Sequence, residues 1–160
     1  MPRLLAFVAP LMRAAITLSI GALVACGDDP VSPQMEALDE AEALWNRTKP
    51  ASDSYTFDQQ VMCFCLYGAS TFRVTVTAGA ITRVHDPQAM SDLPANEFSR
   101  FRTVDQLFGE VRAAMAKSGV LTSVEYHPTM GFPSEVSLDP IKNAIDDEVA
   151  YLTNSLTAAQ

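Results

Sequence analysis

Residues 71–85, TFRVTVTAGAITRVH, decide how this chain folds. Phe72, Val74 and Val76 alternate with polar neighbours, the period of a strand with one face buried and the other in water. Ala78-Gly79 then supplies a tight turn, and Ala80 to His85 returns as the second arm of a hairpin. A one-sided hairpin needs a cover for its apolar face, so the flanking residues are read for further strands and for helices that close it.

Upstream, Ser54 to Leu66 is rich in aromatic and β-branched residues and predicts a long strand. Before it, Ser32-Pro33 reads as an N-cap followed by proline at the first helical position, and the helix runs to about Thr48, ahead of Pro50. Its apolar stripe is Leu38, Ala41 and Trp45, with Ala37 and Leu44 beside it, while Glu36, Asp39 and Glu40 face water. Downstream, Asp86 to Arg102 holds Pro87 and Pro94, shows no period and reads as a long loop. A second helix starts at Thr103, where Gln106 completes a capping box, and carries the stripe Val104, Leu107, Phe108, Val111 and Met115 until Gly119 ends it. Three more strands are expected at Leu121 to His127, Ser134 to Leu138 and Glu148 to Leu156. The order α-βββ-α-βββ predicts an α+β domain, residues 34–160, with an antiparallel sheet of about five to six strands and helices packed on it.

The first residues read differently. Arg3 and Arg13 precede Ala14 to Val24, an uncharged apolar run of 11 residues. A helix needs about 20 residues to span a hydrocarbon core, so this run has the length of a signal-peptide h-region instead. It ends in Leu23-Val24-Ala25-Cys26, which resembles the lipobox of bacterial lipoproteins. That resemblance implies a signal peptide at 1–25, a diacylglycerol on the Cys26 thiol, cleavage before it, and a lipidated tether at 26–33. An ordinary signal peptide cut after Ala25 is the alternative. Gly27 in place of Asp after the cysteine points, by the same resemblance, to an outer membrane where the cell has one, and otherwise to the outer face of the plasma membrane. Cleavage leaves 135 residues with nine basic and 19 acidic side chains, a net charge of −10, which excludes nucleic-acid binding and direct adsorption to a membrane surface.

Ser54-Tyr55-Thr56-Phe57, Cys63-x-Cys65, Phe72-x-Val74-x-Val76 and Gly79-x-Ile81 together resemble a family of uncharacterised bacterial lipoproteins. So do Tyr126-His127-Pro128-Thr129-Met130-Gly131-Phe132-Pro133, Asp139, Asp146-Asp147-Glu148 and Tyr151. The family pattern there is Tyr-Asp-Pro, two residues, Gly-Tyr-Pro, so His127 and Phe132 depart from it. The resemblance spans most of residues 44–156 and implies a lipid-anchored domain without an assigned activity.

Cys63 and Cys65 carry the most distinctive chemistry. Residues two apart on a strand share a face, at about 6.6 Å between Cα atoms when fully extended, near the far limit for a bridge. After export, with Cys26 lipidated, they are the one remaining pair in an oxidising compartment, and a disulfide is the expected state. Buried free thiols, or a soft metal site with His85 or His127, are the alternatives. Asp139, Asp146, Asp147 and Glu148 read as a solvated acidic turn, with calcium as the alternative. Nucleophile-elbow, zinc-protease and phosphate-loop motifs are missing, so the expectation is a non-enzyme without a cofactor. The expected role is a binding or structural module facing an envelope protein, with thiol or metal handling at Cys63 and Cys65 as the second reading.

Overall fold

A computed structural model describes residues 32–65, 68–141 and 144–159 of the chain; Cys26 and the signal segment lie outside them. Helix α1 (Pro33–Thr48) is capped by the Ser32 side chain, which accepts from the Met35 N–H, and buries Leu38, Ala41 and Trp45. The strands are β1 (Tyr55–Met62), β2 (Thr71–Thr77), β3 (Ala80–Asp86) and β4 (Ser91–Asp92). A 3₁₀ helix (Ala95–Arg100) leads to α2 (Val104–Met115), then β5 (Leu121–Tyr126), β6 (Pro133–Leu138) and β7 (Val149–Ala158).

Among the described residues, seven strands form one antiparallel sheet in the order β4-β3-β2-β1-β7-β6-β5. Two meanders, β1 to β4 and β5 to β7, are joined through α2, and β7 closes the sheet by pairing with β1. The last strand to be made therefore lies beside the first. A bulge adjusts their fit: Thr56 pairs with Thr157 and Asp58 with Asn154, and Ser155 takes φ 55° to absorb the extra residue.

The α+β class stands, but the strand count is seven rather than five to six. The added strand is β4, inside the segment expected to be a loop. The Asp86 carboxylate closes the preceding turn by accepting from the N–H groups of Gln88 and Ala89, at 2.8 and 3.0 Å. Asp92 then accepts from Arg83 Nε at 2.9 Å and meets His85 Nδ1 at 2.8 Å, both on β3. Two residues are too few to show a period, so side-chain pairing and not hydrophobic pattern makes this strand. β1 is also shorter than expected and stops at Met62. The chain turns there: Gly68 N–H donates to the Cys65 carbonyl, and a Cβ at Gly68 would fall 2.5 Å from the Cys63 oxygen. α2 ends at Met115, and Gly119, with φ 80°, belongs to the turn that follows.

Both helices and the 3₁₀ segment sit on one face of the sheet. Tyr55, Phe57, Phe72, Val74, Val136 and Tyr151 point into the core from the strands, against Leu107, Phe108 and Val111 of α2. Trp45 packs edge-on against Tyr55 at 5.4 Å and against Phe132 at 6.4 Å, and its Nε1–H donates to Asp105 at the start of α2. The opposite sheet face carries Thr56, Asp58, Arg73 and Thr75, with Asp58 and Arg73 paired across strands.

The turn between β5 and β6 locks α1. Gly131 has φ 81°, and a Cβ there would lie 2.3 Å from the Ala41 carbonyl oxygen, so only glycine lets the turn lie on the helix backbone. Thr48 Oγ1 donates to the Met130 carbonyl at 2.8 Å, and the His127 ring stacks on Phe132 at 4.6 Å. His127 Nδ1 accepts from the Met130 N–H at 3.3 Å, which closes the turn from within.

Phe108 is 1% exposed, so Phe108→Ala should destabilise the domain by about 3–5 kcal/mol. Gln106→Ala, which removes only half of the capping box, should cost less than about 1 kcal/mol. Chemical denaturation of the two variants checks the ranking.

Candidate functional site

The site is built outward from β1. Its inward row is Tyr55, Phe57, Gln59, and the third of these is an amide in an apolar layer. Gln59 is fully buried, and both ends of its amide are hydrogen-bonded. Its Nε2 donates to the Arg102 carbonyl at 3.2 Å and to Thr153 Oγ1 at 3.3 Å, and its Oε1 accepts from the Arg102 N–H at 2.9 Å. Two residues on, the Val104 N–H at the start of α2 donates to the Tyr55 hydroxyl at 3.2 Å. Central-strand side chains thus hold the backbone that enters α2.

Holding Arg102 in place creates a wall. Its guanidinium donates to the Ser99 and Phe101 carbonyls at 2.7 and 3.1 Å and to Glu110 at 2.9 Å, and it lies 5.4 Å from the Tyr151 ring centroid. Phe101 packs edge-on against Phe72 at 5.3 Å. Between these groups lies a cavity of about 180 Å³, and Val61, Cys63, Cys65 and Val149 complete its lining. It is an apolar slot with arginines at its rim, shaped for a small ligand or one side chain of a partner.

Cys63 and Cys65 sit on the connection after β1 rather than in mid-strand. Their sulfurs are in close contact and their Cα atoms are 5.2 Å apart, shorter than extended spacing because the chain has left the sheet. Cys63 is half-buried and Cys65 is exposed, so the pair is more open than a core position would make it. Phe64 between them points into water at 84% exposure. Gln60 Nε2 bonds the Ala69 carbonyl at 2.6 Å and ties the far side of the connection to β1.

The structure brings neither histidine to the cysteines. His85 is on the uncovered sheet face with Asp92, and His127 is in the β5–β6 turn. Asp147 accepts from the Ile141 N–H at 2.7 Å, which folds the acidic turn on itself. Among the described residues no three His, Cys, Asp or Glu side chains come together to hold a metal ion. Sequence reading missed Gln59 and Arg102, and gave Tyr151 only as a motif residue without a place at the site. Gln59 had a signal, a polar side chain at an inward position of an alternating strand; the other two come together only in three dimensions.

The fold and site define a one-sided antiparallel α+β domain with a cysteine-lined slot at one end of its sheet. The chain belongs to the family of unknown function DUF6174, whose model matches residues 37–158. No curated protein and no solved structure matches it.

Burial raises three phenols. Tyr55 and Tyr151 are displaced upward from the ordinary tyrosine value, and Tyr126 is pushed up to about 12. The Tyr126 hydroxyl is buried without a partner among the described residues. A raised phenol keeps its proton more tightly folded than unfolded. The associated stability is therefore complete below the unfolded value of about 10 and is lost as pH rises through the folded values. Near about pH 10.5, phenolate absorbance of the native protein should be less than half that of the denatured chain, which has four tyrosines. Equal absorbance would show that these rings are not enclosed.

Proposed function

We propose that this chain is an exported bacterial lipoprotein, cut before Cys26 and held on a membrane by lipid at that cysteine. Its domain, residues 34–160, acts as a binding module of the cell envelope and not as an enzyme. The anchor reading is supported by Leu23-Val24-Ala25-Cys26 following an uncharged apolar run, since acyl chains on that residue would hold the domain on a membrane. Among the described residues no helix is long and apolar enough to cross a membrane.

The binding reading is carried by the one-sided sheet. Thr56, Thr75 and Thr157 lie on its uncovered face among the Asp58–Arg73 and Asp92–Arg83 pairs. The Asp92 carboxyl is held below its usual range by hydrogen bonds from Arg83 and then His85, so this face presents matched charges rather than one sign. A flat, hydrogen-bonding surface of that kind suits a folded protein partner better than a small charged substrate. A photo-cross-linking residue at Thr75 should give a discrete adduct in living cells, while one at Arg47, exposed on α1, should not. Cys26→Ser should abolish both the adduct and lipid labelling. The same adduct pattern from both positions, or lipid labelling that survives Cys26→Ser, would sink this reading.

Cys63 and Cys65 are proposed to be joined as a disulfide that clips the β1–β2 connection. A ring this small restricts the unfolded chain little, so replacing both by Ala should lower stability by about 1–2 kcal/mol. One observation favours thiol or metal handling as a second reading: Cys65 is exposed and both cysteines line the 180 Å³ slot. Alkylation and mass measurement of the exported, non-reduced protein should find neither thiol free. Two free thiols would transfer the assignment to the second reading.

A further inference from the structure

Every large apolar side chain that the described residues leave exposed lies at one end of the sheet. They are Met62 (45% exposed), Phe64 (84%), Met90 (78%), Ile141 (60%) and Ile145 (86%). The strand register places them together. Met62 pairs with Ala150 near the start of β7, Leu138 with Val149, and Asp86 with Ser91 beside the turn that holds Met90. The opposite end, with the Gly79 and Gly131 turns, has none. Single exposed apolar residues need no explanation, but five gathered at one end mark a surface that meets something apolar.

Helix α1 indicates what that is. Its C-terminal end reaches the opposite end of the sheet, where Thr48 bonds Met130. Its first turns lie away from that end, along β5: Pro33, Gln34 and Ala37 share a groove with Leu121 to Tyr126, and Arg112 in the last turn of α2 bonds Asp39 and Glu42. α1 therefore starts on the side of the domain toward the apolar end, away from the Met130 turn. Five residues, six peptide steps, separate Cys26 from Ser32, a reach of about 21 Å when fully extended. So short a tether holds this end, and not the other, close to whatever carries the lipid.

We infer that the apolar end of the sheet lies against the lipid surface on which Cys26 anchors the chain, with Phe64 and Ile145 set at the headgroup boundary. The inference rests on the anchor described under the proposed function. The lipid supplies attachment and the apolar contact supplies orientation, so no independent adsorption of the acidic domain is needed. Asp146 and Glu148 are exposed next to Ile145, which makes a zwitterionic surface the matching one and an anionic surface repulsive. In this arrangement the uncovered sheet face stands roughly upright from the bilayer, open to a partner.

The test uses the lipid-bearing protein reconstituted in phosphatidylcholine vesicles with or without brominated acyl chains, which quench tryptophan only on contact. Phe64→Trp and Ile145→Trp report on the apolar end and Ala80→Trp on the opposite end, while Trp45, fully buried, contributes a constant background. Quenching should be several-fold greater for the first two variants than for the third. Each sample's mass is read for lipid. Equal quenching in a lipid-bearing sample overturns the orientation and leaves the anchor standing; a mass without lipid overturns the anchor and the orientation with it.

Discussion

Gln59 carries an amide into the apolar middle of the sheet, where its three hydrogen-bonding contacts must all be met by protein. Leaving such a group unpaired costs about 1–3 kcal/mol, so the partners are constrained as firmly as the side chain. Arg102 is the main partner, through both its N–H and its carbonyl. With Tyr55 receiving the Val104 N–H, the sheet dictates where α2 begins and how the 3₁₀ segment lies. The slot beside Cys63 and Cys65 is a consequence: Arg102 can project over Tyr151 only because its backbone is held by Gln59.

A second constraint works at the other end of the core. Gly131 lies on the backbone of α1 in a conformation and at a distance that exclude a side chain. The turn around it is closed by the His127 ring nitrogen, with the ring itself stacked on the buried Phe132. The imidazole thus supplies both a hydrogen-bond acceptor and a stacking surface to the turn, and α1 stays locked against the sheet.

These two constraints make the domain directional. One sheet face is covered by helices and the other is polar and open; one end carries tight turns and the other carries the exposed apolar side chains and the start of α1. The close contact of Cys63 and Cys65 lies at the apolar end, on the connection that carries Phe64 outward.

Periodicity was enough to read most of the elements. Phe72, Val74 and Val76 announced β2, and Ser32-Pro33 and Thr103 with Gln106 announced both helix starts, because caps and alternation are local and leave a local mark. β4 left none, since two residues have no period and it exists through the Asp92 contacts with Arg83 and His85. The early end of β1 also depends on a close approach, between Gly68 and the Cys63 carbonyl, that adjacent residues do not reveal. By itself, then, the sequence determined the α+β class, the helix boundaries at their starts and the special status of Cys63 and Cys65. Tertiary structure decided which strands are neighbours, that Arg102 and Tyr151 join the cysteines around one slot, and that five scattered apolar residues share an end. Those are distances between residues far apart along the chain, and strand pairing, including the closing of β7 on β1, creates them.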